Sequence, residues 1–325
     1  MDEHKKAIGA IGVGVVSSLF LSGTFVINSL LSLSGGHWAW TATLRSILLI
    51  PLLGLVLLCG GKFTPLLQAI RKEPAIFLRW GILGFGILYT ALAMASLYAP
   101  AWLIAATFQI NILAGMLLSP FIYRDERAKI PKKTFLLSSL ICLGVVLIQF
   151  EKIDSLGSVH STIFAFLLVL MGAFAWPLGN RKLLVDLEEK GIHLNAIQRV
   201  LGMTIGSLPL LLLLGCIGYR SAGLPSLGQI ESSAWSALLS GFLGGVGFYQ
   251  ATQMVKRNSV ALATVEATQV FEIFFALIGE FLLTGIRLPG GWGLLGLVII
   301  SLGMLVHCNT TLRYSKTFAL SSSQS

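Results

Sequence analysis

The hydrophobic pattern of this chain is coarse. Apolar stretches of 20 residues or more alternate with short polar links. The period is far longer than that of an amphipathic helix or a half-buried strand. An α-helix needs about 20 largely apolar residues to cross the hydrocarbon core of a bilayer. Ten stretches meet that length, at 7–31, 37–59, 74–98, 100–123, 133–151, 160–180, 196–219, 233–255, 259–284 and 289–309. The links carry turn residues, as in "SLSGGH", "YAP" and "RLPGG". The pattern predicts an all-α integral membrane protein with ten transmembrane helices. The first stretch is too long for a cleaved signal peptide. The polar tail 317–325, "TFALSSSQS", is expected to be disordered.

Composition agrees. Of 325 residues, 55% are hydrophobic and 11% charged, and the mean hydropathy is +0.84. A soluble domain carries about 25% charged residues. The net charge of +9 raises the question of nucleic acid, and the placement of the charges answers it. With the N-terminus inside, 18 of the 23 Lys and Arg fall in cytoplasmic segments, three on outer loops, and two (Arg45 and Arg79) within spans. Positive residues concentrate on the cytoplasmic side of membrane proteins. The bias predicts a multi-pass protein of the cytoplasmic (plasma) membrane with both termini cytoplasmic, and no nucleic-acid partner. The cysteines Cys59, Cys142, Cys216 and Cys308 stand singly in apolar sequence, so neither a disulfide framework nor a zinc site is indicated.

The chain repeats itself. "WGILGFGILYTALAM" (80–94) and "SGFLGGVGFYQATQM" (240–254) match at Gly81/Gly241, Gly84/Gly244, Tyr89/Tyr249, Ala91/Ala251 and Met94/Met254, each 160 apart. The same offset sets Gln109 on Gln269. Upstream, "TATLRS" resembles "NAIQRV", setting Arg45 on Arg199 at an offset of 154. Two five-helix units follow, 1–152 and 153–316. Five is odd, so the second unit enters the membrane from the opposite side and the repeats are inverted. Secondary transporters are built this way, with substrate near the midplane where the repeats meet.

Ten spans as five plus five, an Arg in the second ("LRSILL"), "YRDER" closing the fourth and "GE" late in the ninth resemble the drug/metabolite transporter superfamily. The closest resemblance is to EamA-type proteins of its multidrug-efflux branch. It implies a ten-helix carrier of small molecules. The four-helix members carry an essential Glu in the first span. The first span here has no acidic residue, so any proton-coupling role moves elsewhere.

The polar groups inside the spans are the candidates for that role, because ionisable residues are costly in hydrocarbon. Glu266, Gln269 and Glu272 fan across about 120° of one face of the ninth span, at 100° per residue. Glu272 aligns with Ile112 and Glu266 with Ala106, so both carboxylates belong to one repeat only. Each is either a binding group for a cation or proton, or a buried Glu satisfied by Thr, Tyr or Arg. Glu280 is expected to be structural. Gln109 and Gln269 are expected to form a symmetric polar floor. Arg45 either neutralises an anionic group or snorkels outward. Tyr89 and Tyr249 either line a cavity or pack. Trp176-Pro177 and Asn180 suggest a kink.

No catalytic residue, metal ligand set or cofactor motif stands out. GxxxxGK[ST], HExxH and GxSxG are absent. "GWGLLG" (291–296) matches the dinucleotide fingerprint but follows no strand, and His307 has no second His at ligand spacing. The expected function is therefore not enzymatic. It is proton-coupled efflux of small cationic or amphipathic compounds by alternating access, as a monomer or homodimer in the bilayer. The alternative is an exporter or exchanger of amino acids or other polar metabolites.

Overall fold

The computed structural model describes residues 3–130, 132–156, 159–256, 259–286, 288–303 and 306. It is all-helical, with no strand among the described residues. The tail 317–325, His307 and Cys308 lie outside the described residues. The helices are α1 (Glu3–Leu33), α2 (Trp38–Cys59), α3 (Phe63–Lys72), α4 (Pro74–Ala95), α5 (Ala101–Ile122), α6 (Lys132–Leu156), α7 (Val159–Glu189), α8 (Ala196–Ala222), α9 (227–254), α10 (259–284) and α11 (Gly291–Gly303).

Seven of them, α1, α2, α4, α5, α7, α8 and the 264–284 part of α10, are long and apolar enough to cross a membrane. In α6 and α11 the described apolar runs, Phe135–Phe150 and Gly291–Gly303, are shorter. α9 is long, but its first half carries Gln229, Glu231 and four serines before residue 241. α3 is a helix that the run of apolar residues does not announce. It is short and two-faced, burying Leu66 and Ala69 and ending in Arg71 and Lys72. α7 runs through Pro177 without a break and extends nine residues beyond the expected end of its apolar stretch, to Glu189.

α1 packs on α9, α10 and the first half of α5; α2 on α8 and α9; α4 on α7 and α8; α5 on α7 and α10. Small residues set how close these helices come, the packing that membrane helices use where burial of apolar surface gives no driving force. A Cβ on Gly84 would stand 3.1 Å from Gly179 Cα, so α4 and α7 meet backbone to backbone there. A Cβ on Gly244 would stand 2.7 Å from Leu21 N, joining α9 to α1 in the same way. Both glycines lie in π-helical runs, Ile82–Ile87 in α4 and Ala237–Val246 in α9. Such runs are rare and are frequent at functional sites.

Candidate functional site

Two helices are interrupted near their middles. α5 breaks at Gln109, and α10 tightens to a 3₁₀ turn over Thr268–Val270. A break leaves backbone carbonyls without their helical donors, and hydrocarbon offers no replacement. Side chains from neighbouring helices supply it. Ser18 of α1 donates to the Thr268 carbonyl at 2.8 Å. Gln109 donates through Nε2 to the Gln269 carbonyl at 2.9 Å and to the Ala105 carbonyl at 3.1 Å. Asn111 Nδ2 donates to Gln269 Oε1 at 3.2 Å. The two breaks thus meet, and Gln109 and Gln269 hold them together.

Glu272 lies one turn past this junction. It is 1% exposed. Gln269, whose Oε1 is taken by Asn111, hydrogen-bonds to it through its side chain. Its Oε1 has no hydrogen-bond partner among the described residues, nor has Oε1 of Gln109. A protonated Glu272 adds an O–H donor where acceptors are in excess. An ionised one leaves charge in a closed, apolar surround.

The other carboxylates of α10 are satisfied differently. Glu266 forms a two-pronged ion pair with Arg181 of α7, at 2.8 and 2.6 Å. Arg181 also donates to the Gly115 carbonyl and to Ser119 Oγ, both on α5. Glu280 accepts from Ser29 Oγ at 2.6 Å, Ala101 N at 2.9 Å and Trp102 N at 3.2 Å. The last two are the first amides of α5, which lacks a capping side chain of its own at Pro100. An anion there satisfies orphan donors and opposes the helix dipole.

Arg45, Tyr89 and Tyr249 belong to a second group. The Arg45 guanidinium lies 3.7 Å over the Tyr89 ring and takes Ser240 Oγ at 3.1 and 3.2 Å. Arg199 lies 5.0 Å over Tyr249 and donates to the Tyr249 carbonyl and to Gln253. Phe85 bridges the two tyrosines, with ring centroids 5.4 Å from Tyr89 and 6.4 Å from Tyr249. Trp176 stacks on Phe85 at 5.8 Å and meets Tyr249 edge-on at 5.8 Å. Arg45 thus does not snorkel; it is 3% exposed and its Nη1 has no partner.

A cavity of about 150 Å³ opens where the ends of α5, α7 and α9 meet the starts of α8 and α10. Arg181, Glu266 and Arg199 line it, and Glu272 does not. The stripe expected from sequence is therefore split. Glu266 faces this cavity, while Gln269 and Glu272 lie in the closed junction.

Sequence reasoning missed Arg181, Arg199, Asn111, Phe85 and Trp176 as parts of these groups. Arg181 and Arg199 count among the cytoplasmic positive residues by position, yet both side chains are buried. The match of Arg199 to Arg45 in "NAIQRV" and "TATLRS" is the signal that points to it. Nothing comparable marks Arg181.

A family model described as "Putative multidrug resistance efflux transporter" (EmrE) matches residues 8–313. The chain belongs to this family. It is therefore a multi-pass membrane protein of a family of small-molecule transporters, not one of enzymes. "Uncharacterized protein YjlA" of Bacillus subtilis (strain 168) is 43% identical over 307 residues, covering 92% of this chain and 94% of that one. "Uncharacterized 42.1 kDa protein in intracellular alkaline protease 3'region" of Shouchella clausii is 34% identical over 266 residues, covering 80% of this chain and 69% of that one. A solved structure, "Crystal structure of protein", is similar in fold at a TM-score of 0.64 and 12% identity, over 94% of this chain and 98% of that one.

Proposed function

We propose that this family member is a secondary active exporter of small amphipathic compounds. It exchanges them for protons across the cytoplasmic membrane by alternating access, with Glu272 as the group that takes and gives the proton. The observation that carries this reading is Glu272 itself. It is a carboxylate buried to 1% with an unpartnered oxygen, one turn from where two interrupted helices meet. Carriers place substrate and coupling ion at such discontinuous helices.

The architecture in this reading is ten spans, the seven long apolar helices plus α6, α9 and α11, arranged as two inverted repeats. Several pairs support it. The breaks at Gln109 and Gln269 fall at the offset of 160, as do the π-helical glycines Gly84 and Gly244. Arg45 on Tyr89 is matched by Arg199 on Tyr249. Both termini are cytoplasmic in this reading, so the cavity beside Arg199 opens inward. Glu272, ionised when reached from inside, binds cargo; the repeats rock; protonation from outside releases it. A cationic cargo has Glu272 as its counterion, because Glu266 is already neutralised by Arg181.

One observation favours a second cargo class, polar metabolites. Arg45 and Arg199 are buried without a carboxylate within ion-pair distance among the described residues. Uptake of cationic dyes and of zwitterionic metabolites into proteoliposomes under an imposed pH gradient separates the two classes. Glu272→Gln is expected to abolish the proton-driven component for whichever class is carried. Normal proton-driven uptake by that variant sinks the mechanism.

A further inference from the structure

The inward cavity carries more cation than its carboxylates balance. Arg127 pairs with Asp125 at 2.8 Å and Glu188 at 3.2 Å, and Arg181 pairs with Glu266 at 2.6 Å. Those pairs use both carboxylates that line the cavity. Arg199 and Lys256 also line it, and neither has a carboxylate partner among the described residues. Arg199 is 2% exposed, and its direct contacts are neutral: the Tyr249 ring and carbonyl and the Gln253 amide. Glu188, already paired with Arg127, acts on it only from beyond ion-pair distance. A buried charge without a direct counter-charge is costly. Three residues on this wall hold buried polar atoms with no partner: Nε of Arg199, Nε of Arg181 and Oδ1 of Asn180. Two of these are donors on guanidinium groups, which match carboxylate geometry.

We propose that this cavity is the inward binding site of a small organic carboxylate, whose anionic group is held by Arg199 and Lys256. The inference takes from the exporter reading the inward direction of the cavity and the naming of the carboxylate as cargo; the site itself stands on binding. A cavity of about 150 Å³ accepts a single benzene-sized molecule. Benzoate is therefore a suitable probe, with benzamide and benzylamine as neutral and cationic controls of the same shape.

The test is calorimetric titration of the purified full chain in nanodiscs of zwitterionic lipid. Benzoate is expected to bind, with benzamide and benzylamine weaker by about tenfold or more, the loss that follows when a desolvated charge pair is missing. Arg199→Gln is expected to weaken benzoate by about tenfold or more, and Arg199→Lys to recover part of it. Lys256→Gln, at an exposed position that leaves the buried core untouched, is expected to weaken benzoate about threefold. Equal binding of benzoate and benzamide, or an unchanged benzoate Kd in both Arg199→Gln and Lys256→Gln, overturns the proposal. Loss of benzoate binding in nanodiscs rich in anionic lipid also overturns it, by giving the guanidinium to a lipid headgroup. The exporter reading fails separately, on proton-driven transport by Glu272→Gln.

Discussion

Glu272 and Glu280 lie two turns apart on the same helix, and each is 1% exposed. By burial alone they are equivalent. Their partners differ. Glu280 collects a serine hydroxyl and two backbone amides from the uncapped start of α5. Glu272 keeps an oxygen with no donor among the described residues. A buried carboxylate saturated with donors has its hydrogen-bonding capacity filled. One short of donors keeps an acceptor unfilled. The number of donors, not the depth, separates the architectural residue from the candidate for function.

The comparison breaks most sharply in transport. Glu272→Gln is expected to abolish proton-driven uptake while leaving the melting temperature close to that of the parent. Glu280→Gln is expected to keep the coupling in whatever fraction folds. Parallel uptake and melting measurements on both variants check this, and coupled transport by Glu272→Gln defeats the distinction.

The next largest effect concerns the third carboxylate of α10. Arg181→Met leaves Glu266 without its partner and is expected to cost about 3 kcal/mol, the lower end for breaking a buried pair because Glu266 keeps some exposure. Adding Glu266→Met should return most of that loss. A double variant no more stable than Arg181→Met would mean that the other bonds of Arg181, to α5, carry the stability. Glu280→Ala ranks close behind. It orphans three donors and is expected to cost about 3 kcal/mol, at roughly 1 kcal/mol for each. Unfolding in a graded mixture of detergent and denaturant reads both.

The smallest effect is at the surface. Arg127 hydrogen-bonds to Asp125 in the 123–130 loop and holds its carboxyl below the usual carboxylate range. A depressed folded value means the contribution is present above the ordinary aspartate range and lost as pH falls through the depressed one. Exposed pairs contribute about 0–1 kcal/mol, so Asp125→Asn should shift the melting temperature little at neutral pH. A large shift would show that the loop clasps the cavity more firmly than its exposure implies.

Much of the fold was legible because hydrocarbon imposes one simple demand. A span must be apolar for about 20 residues and helical throughout. The helices α2, α4, α5 and α8 therefore begin within a residue or so of the expected starts. α3 escaped because it has only 10 residues and buries only a stripe of them, Leu66 and Ala69. Gln109 and Gln269 were legible as a pair matched at an offset of 160 in sequence. That the two side chains lie against each other's helices, at the two breaks, was not.

The sequence by itself determined the membrane class, the helix positions and the list of polar groups that must find shelter, because each follows from the energy of a single residue in hydrocarbon. It also placed Glu266, Glu272 and Glu280 in one apolar stretch. Only the tertiary structure decided what each polar group meets. Glu266, Glu272 and Glu280 are chemically identical and similarly placed along one helix. An ion pair to α7, a place beside the junction with α5 and the cap of α5 give them different surroundings. The partners of Glu266 and Glu280 lie more than 80 residues away in sequence. Apolar sequence carries no local signal for such contacts, since they depend on how closely the glycine-lined helices come together.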